Sequence, residues 1–120
     1  MLAFFPATIT PAQQSAISTQ FAAFKSAALD QCKHVRGVSA GWGHETDFPI
    51  RGSGDRGSLE SEEGSLFFAL IGWGSVGEHM AFRETDGFKE NVGLVGEMEG
   101  CVGLDMFHLE CEVLERADEK

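Results

Sequence analysis

Residues 65–95, "SLFFALIGWGSVGEHMAFRETDGFKENVGLV", hold the turn on which the fold depends. Residues 65–73, "SLFFALIGW", form an apolar run of strand length and predict a buried strand. The segment that follows has helical spacing, with Ser75 placed to cap it and Glu78 three residues on. Between the two, Gly72, Gly74 and Gly77 spell G-x-G-x-x-G, the fingerprint of a dinucleotide-binding loop. A nucleotide fold needs a parallel strand ending in an acid about twenty residues further on. Glu97 has that spacing but precedes the last strand. Trp73 would crowd a pyrophosphate, and Gly52, Gly54 and Gly57 repeat the pattern in a chain of 15 glycines. The glycines therefore predict a tight strand-to-helix turn, with no NAD or FAD and no other cofactor.

Upstream, "LAFFPAT" predicts a first strand. Thr10, Pro11 and Gln13 form a Thr-x-x-Gln capping box with proline at the first helical position. Ile17, Phe21, Phe24 and Ala28 follow at helical spacing, with Cys32 a turn later, which predicts an amphipathic helix of about twenty residues. "VRGVSAGWGHE" predicts a second strand, with Val38, Ala40, Trp42 and His44 on one face. Residues 47–64 are rich in Gly, Ser and acids and predict a mobile surface loop. Gly87 is expected to break the second helix, with a short helix from Phe88 to about Val95. "GCVGLDMFHLECEVL" predicts the last strand, with Val102, Leu104, Met106 and His108 on one face and Phe107, Leu109 and Cys111 on the other.

The order β-α-β-β-α-β is ferredoxin-like: an α+β fold with a four-stranded antiparallel sheet and both helices on one face. The other face is too apolar to stay wet, and a second copy is the simplest cover, which predicts a homodimer. One domain over residues 1–120 is expected at this length.

The chain carries 9 basic and 19 acidic residues, a net charge of −10. Residues 1–40 hold Lys25, Lys33 and Arg36 against Asp30, a net +2, so the remainder is −12. No basic face is available for nucleic acid, and anionic membranes are disfavoured. The N-terminal "MLAFFPATIT" lacks the basic region of a signal peptide, and no run approaches the length of a membrane span. Cys32, Cys101 and Cys111 form no C-x-x-C, which fits a reducing, cytoplasmic compartment.

Trp73, Ser75, His79, Phe82, Arg83, Glu84, Thr85, Phe88, Lys89, Glu90 and Asn91 resemble W-x-S-x-x-x-H-x-x-F-R-E-T-x-x-F-K-E-N. That stretch is found in short proteins related to antibiotic biosynthesis monooxygenases, of the dimeric α+β barrel superfamily. The resemblance is strong over residues 66–110, where "GCVGLDMFHLE" is similar to the family's last strand. Over residues 1–44 it rests on element order. It implies a pocket between the helices and the concave sheet face and a small aromatic or polyketide-like substrate from secondary metabolism. The chain has no tyrosine, so the tyrosine proton shuttle of some members cannot be copied here intact, and "TDGF" stands near the place where cyclase-type members carry the histidine of a Pro-Ala-His segment.

The expected function is a cofactor-independent enzyme performing cyclisation, isomerisation, decarboxylation or oxygenation. His79 is the candidate acid/base and Arg83 the candidate anion anchor. Trp42, Trp73 and Phe82 are candidate walls for a small hydrophobic or aromatic molecule. His44 and His108 are candidate binding residues that would form a three-imidazole cluster if both met His79; no metal is expected. Each has a plainer alternative: His79 as a structural residue, the tryptophans as packing, Arg83 paired with Glu84 or Asp86, His108 at the surface. At the level of function the alternatives are a non-catalytic dimeric ligand-binding or stress-response protein, and a haem-binding member with His79 as axial ligand.

Overall fold

Leu2–Pro6 (β1) alternates its side chains between two apolar environments. A computed structural model describes residues 1–51 and 62–112, with 114 and 117. After β1 come Pro11–Ala27 (α1), a 3-10 turn at Leu29–Gln31, Val35–Trp42 (β2), Phe48–Pro49 (β3) and Glu63–Trp73 (β4). Val76–Phe82 (α2), Asp86–Asn91 (α3), Gly93–Gly96 (α4) and Gly103–Asp105 (β5) complete the described elements. The fold is mixed α+β around an open antiparallel sheet.

α1 starts where its capping box places it. The Gln13 backbone N–H donates to Thr10 Oγ1 (3.1 Å), and the Thr10 N–H donates to Gln13 Oε1 (2.8 Å), so two groups that the first turn leaves unbonded are satisfied reciprocally. Ile17, Phe21 and Phe24 are its buried residues.

The strand order is β2-β4-β1-β5, every pair antiparallel. β3 follows β2 along the same edge of β4, pairing Phe48 with Gly64. Ala3, Phe5, Phe67 and Ala69 share one sheet face and join Ile17, Phe21, Phe24 and Phe82 in the core beneath the helices. Phe21 packs edge-on to Phe67 at 5.6 Å, and Phe24 edge-on to Phe82 at 6.4 Å. Burying a phenylalanine fully contributes roughly 1.5–3 kcal/mol, so this aromatic layer is the chief apolar contribution to the fold.

The far face is covered differently. Ile50 and Phe4 are buried outside the helix-side core. A Cβ on Gly64 would lie 3.2 Å from Ile50 Cδ1, and one on Gly103 3.3 Å from Ile50 Cγ2. Ile50 is thus seated across β1, over two glycines on its neighbours. The Ile50 N–H donates to Glu62 O (3.0 Å), and Arg51 Nε meets Asp105 Oδ2 at 3.2 Å. Residues 48–51 form a strap over the Phe4 end of the far face.

Three expectations need correction. The loop expected over 47–64 carries β3 and the strap at one end and the start of β4 at the other; its middle, 52–61, lies outside the described residues. The second helix breaks at Arg83–Thr85 rather than at Gly87: Thr85 caps α3, accepting from the Phe88 N–H (3.2 Å), and Gly87 lies inside it. The last strand holds only Gly103–Asp105. β1 begins at Leu2, opposite Asp105, so among the described residues no strand lies beside 106–112.

Candidate functional site

Trp73 ends β4, and Ser75 caps α2 by accepting from the Glu78 N–H (3.1 Å). The turn between them sets the start of α2 against the end of the sheet. A Cβ at Gly74 would displace the Glu78 carboxylate, which folds back to meet His34 Nδ1 at 2.7 Å. One helical turn from the cap, His79 lies stacked on the Trp73 indole, centroids 4.7 Å apart and planes 20° apart. Trp73 also packs on Phe82 at 5.1 Å.

His108, beyond β5, reaches the same place. Its Nε2 lies 2.8 Å from His79 Nδ1, and the rings meet edge to face at 5.0 Å. One nitrogen of this contact carries the hydrogen and the other accepts it, so the pair in this geometry holds at most one net positive charge. Burial pushes the His79 pKa below its ordinary 6.5, and the neighbouring His108, the Arg83 guanidinium and the N-terminal ammonium push it the same way. The neutral imidazole is the resting form at pH 7. That is the state a general base requires.

The other candidates are placed as follows. Arg83 is exposed at the end of α2, close enough to act on His79, and has no ion pair among the described residues. Phe82 is buried among Phe24, Trp73 and Phe88. Trp42 lies between Phe5 and Phe67, at 5.3 and 5.2 Å, and its Nε1 donates to Ser18 Oγ at 2.9 Å; it braces α1 against the sheet. His44 is exposed, two residues beyond β2, and shares none of the ring contacts around His79. Two imidazoles therefore meet where three were considered. No group of three or more His, Cys, Asp or Glu able to hold a metal occurs among the described residues.

Val76 and Met80, the apolar residues beside His79 in the sequence, would be expected to mark the buried side of the helix. Both are exposed, and the side of α2 that is covered carries His79 and Phe82. α2 is only seven residues long and lies at the end of the sheet; Trp73 and His108 cover His79, and the core rings of Phe24 and Phe88 cover Phe82. Glu78 was noted in the sequence only as part of a cap; its bond to His34 gives it a second role, joining α2 to the segment before β2.

Two surface depressions lie elsewhere, between α1 and β2. One, of about 240 Å³, is lined by Leu29, Cys32, Val35 and Arg36, the other, of about 310 Å³, by Ser18, Phe21, Ala40 and Phe67; Lys25 and Val38 line both. No helix among the described residues is long and apolar enough to cross a membrane. The chain matches no protein-family model, no curated protein and no solved structure.

Proposed function

We propose that this chain is a cofactor-independent enzyme of the antibiotic biosynthesis monooxygenase-like kind, which moves a proton on a small aromatic or polyketide-like molecule. The observation that carries this reading is the His79–His108 contact of 2.8 Å beside the Trp73 ring. A neutral His79 takes a proton from an acidic carbon or hydroxyl of the substrate. Its hydrogen bond to His108 gives the charge a second imidazole to rest on, and the proton returns at another atom of the substrate. Arg83 faces the same region as a fixed positive charge suited to a developing enolate or carboxylate oxygen. The order β2-β4-β1-β5 supports the ferredoxin-like arrangement, and the uncovered part of the far face, around Leu70, supports a two-copy assembly through the sheet.

The substrate class is found by native mass spectrometry of the protein taken from its own host. On the molecule so identified, His79→Ala lowers turnover by about 10²–10⁴-fold. His108→Ala lowers it less and shifts the acid limb of the pH profile. Full turnover by His79→Ala overturns the proposal. A molecule retained but never converted selects the non-catalytic binding alternative.

A further inference from the structure

A second histidine contact lies directly behind the His79 pair. Glu78, the residue before His79, meets His34 Nδ1 at 2.7 Å. A carboxylate only accepts, so the hydrogen of this bond is on Nδ1. The His34 and Glu78 side chains are 36% and 28% exposed, which makes theirs the best covered of the contacts between basic and acidic side chains among the described residues.

This bond closes a circuit around the candidate site. Val35, the residue after His34, is the partner of Trp73 across the β2–β4 ladder. Trp73 carries the stacked His79 ring. His79 follows Glu78 in α2, and Glu78 returns to His34. The ladder is irregular at this corner, with a register shift between Val35 and Gly37, so strand pairing alone holds it loosely. α2 is also too short to hold its own place: it has seven residues, and Phe82 is its one buried side chain. At about 100° per residue, Phe82 lies between Glu78 and His79 around the helix. The His34 bond therefore tethers one flank of the buried ring, and the His79 stack occupies the other. Without the tether, α2 is free to roll about Phe82. A side chain about 5–6 Å from the axis moves about 1 Å for a roll of about 10°, and a displacement of that size can cost about 10²-fold in rate.

We propose that His34 is a positioning residue for His79: by holding Glu78 it stops α2 from rolling and keeps the His79 imidazole seated on Trp73 and aimed at His108. The inference rests on the reading of His79 as the group that moves the proton, and it adds a residue that touches neither the substrate nor His79. His34 comes from the segment before β2, so the site is held from three separate parts of the chain: the start of β2, the β4–α2 turn and the segment after β5.

Proton NMR of the full chain tests this without a substrate. In the wild type the His79 ring protons lie over the Trp73 indole and are shifted upfield by its ring current. His34→Ala is expected to abolish most of that shift. It also returns the His79 titration from its lowered value toward the ordinary 6.5, because the ring loses its cover. Glu78→Ala is expected to do the same. This second variant is needed because the Arg36 guanidinium lies beside the same turn, 3.0 Å from where a Cβ on Gly74 would stand, and removing the carboxylate breaks the tether whichever cation replaces His34. The double variant does no more than either alone, as two groups acting through one bond must. His34→Asn, whose amide nitrogen stands as many bonds from Cα as Nδ1, donates to Glu78 and restores both signals. The Trp42 indole N–H, bonded to Ser18, reports that each variant is folded. Wild-type His79 signals in the two alanine variants overturn the proposal, and so does a failure of His34→Asn to restore them, which would leave His34 as packing alone. If His79→Ala keeps full turnover, the catalytic role of His79 falls, and the NMR result still decides whether His34 positions it.

Discussion

The two faces of the sheet are finished to different degrees. On the helix face, Phe5 and Phe67 are fully buried, and the aromatic rings of α1, α2 and α3 close over them. On the far face, one end is roofed by the Ile50 strap and the other ends in Leu70 and a run of exposed side chains beyond β5. The difference shows where the fold is held. Stability resides chiefly in the face that the chain covers with its own helices; the far face is closed only at the end where Ile50 sits.

The comparison breaks most visibly if the helix face is not the stabilising one. Phe67→Ala should cost about 3–5 kcal/mol in denaturant unfolding, whereas Leu70→Ala, three residues along the same strand but on the other face, should change stability by no more than about 0.5 kcal/mol. Similar costs at both positions would show that the far face contributes to folding.

The strap comes next. At Gly103 a Cβ would run into the Arg51 carbonyl. Gly103→Ala should therefore displace the strap and cost about 1–3 kcal/mol, with Ile50 exposed. Urea unfolding reads the cost. A new Cys at Ile50 reads the exposure through its labelling rate, compared with and without the Gly103 change. An unchanged midpoint and labelling rate would mean that the strap yields freely.

The smallest effect is that of pH. His79 has a lowered pKa in the folded chain, so below its ordinary 6.5 the unfolded chain binds the proton first. Stability is then complete above 6.5 and declines as pH falls through that value toward the folded pKa. His79→Gln should flatten this acid decline without changing stability at neutral pH by more than a few tenths of a kcal/mol. An unaltered slope in the variant would mean that other groups govern the acid side.

What the sequence made legible follows from how local each signal is. The start of α1 was readable because a capping box and a 3.6-residue repeat are complete within one stretch of chain. The meeting of His108 with His79 was half readable: strand parity puts His108 on the face of Leu104, which packs toward the helices. The length of β5 was not readable, because alternation reports a strand's faces and not whether a neighbour is there to pair with. Ile50 was hidden for a similar reason. A single apolar residue in a polar stretch gives no period, and its burial depends on glycines at 64 and 103. Val76 and Met80 look like core residues in the sequence, yet both are exposed, because α2 is one short helix at the end of the sheet and buries only its Phe82 side against Phe24, Trp73 and Phe88.

The centrality of β4 has a consequence for how the molecule is made. β1, β2 and β3 all pair with β4 and none of them with each other. A ribosome delivers them first, together with the apolar side of α1, and none can form its sheet contacts until residues 63–73 have left the exit tunnel. Non-local strand pairing is slow to form and leaves apolar surface exposed while it waits. The strands on either side of β4 are thus synthesised before any of the sheet can assemble, and their apolar faces wait unpaired until β4 arrives.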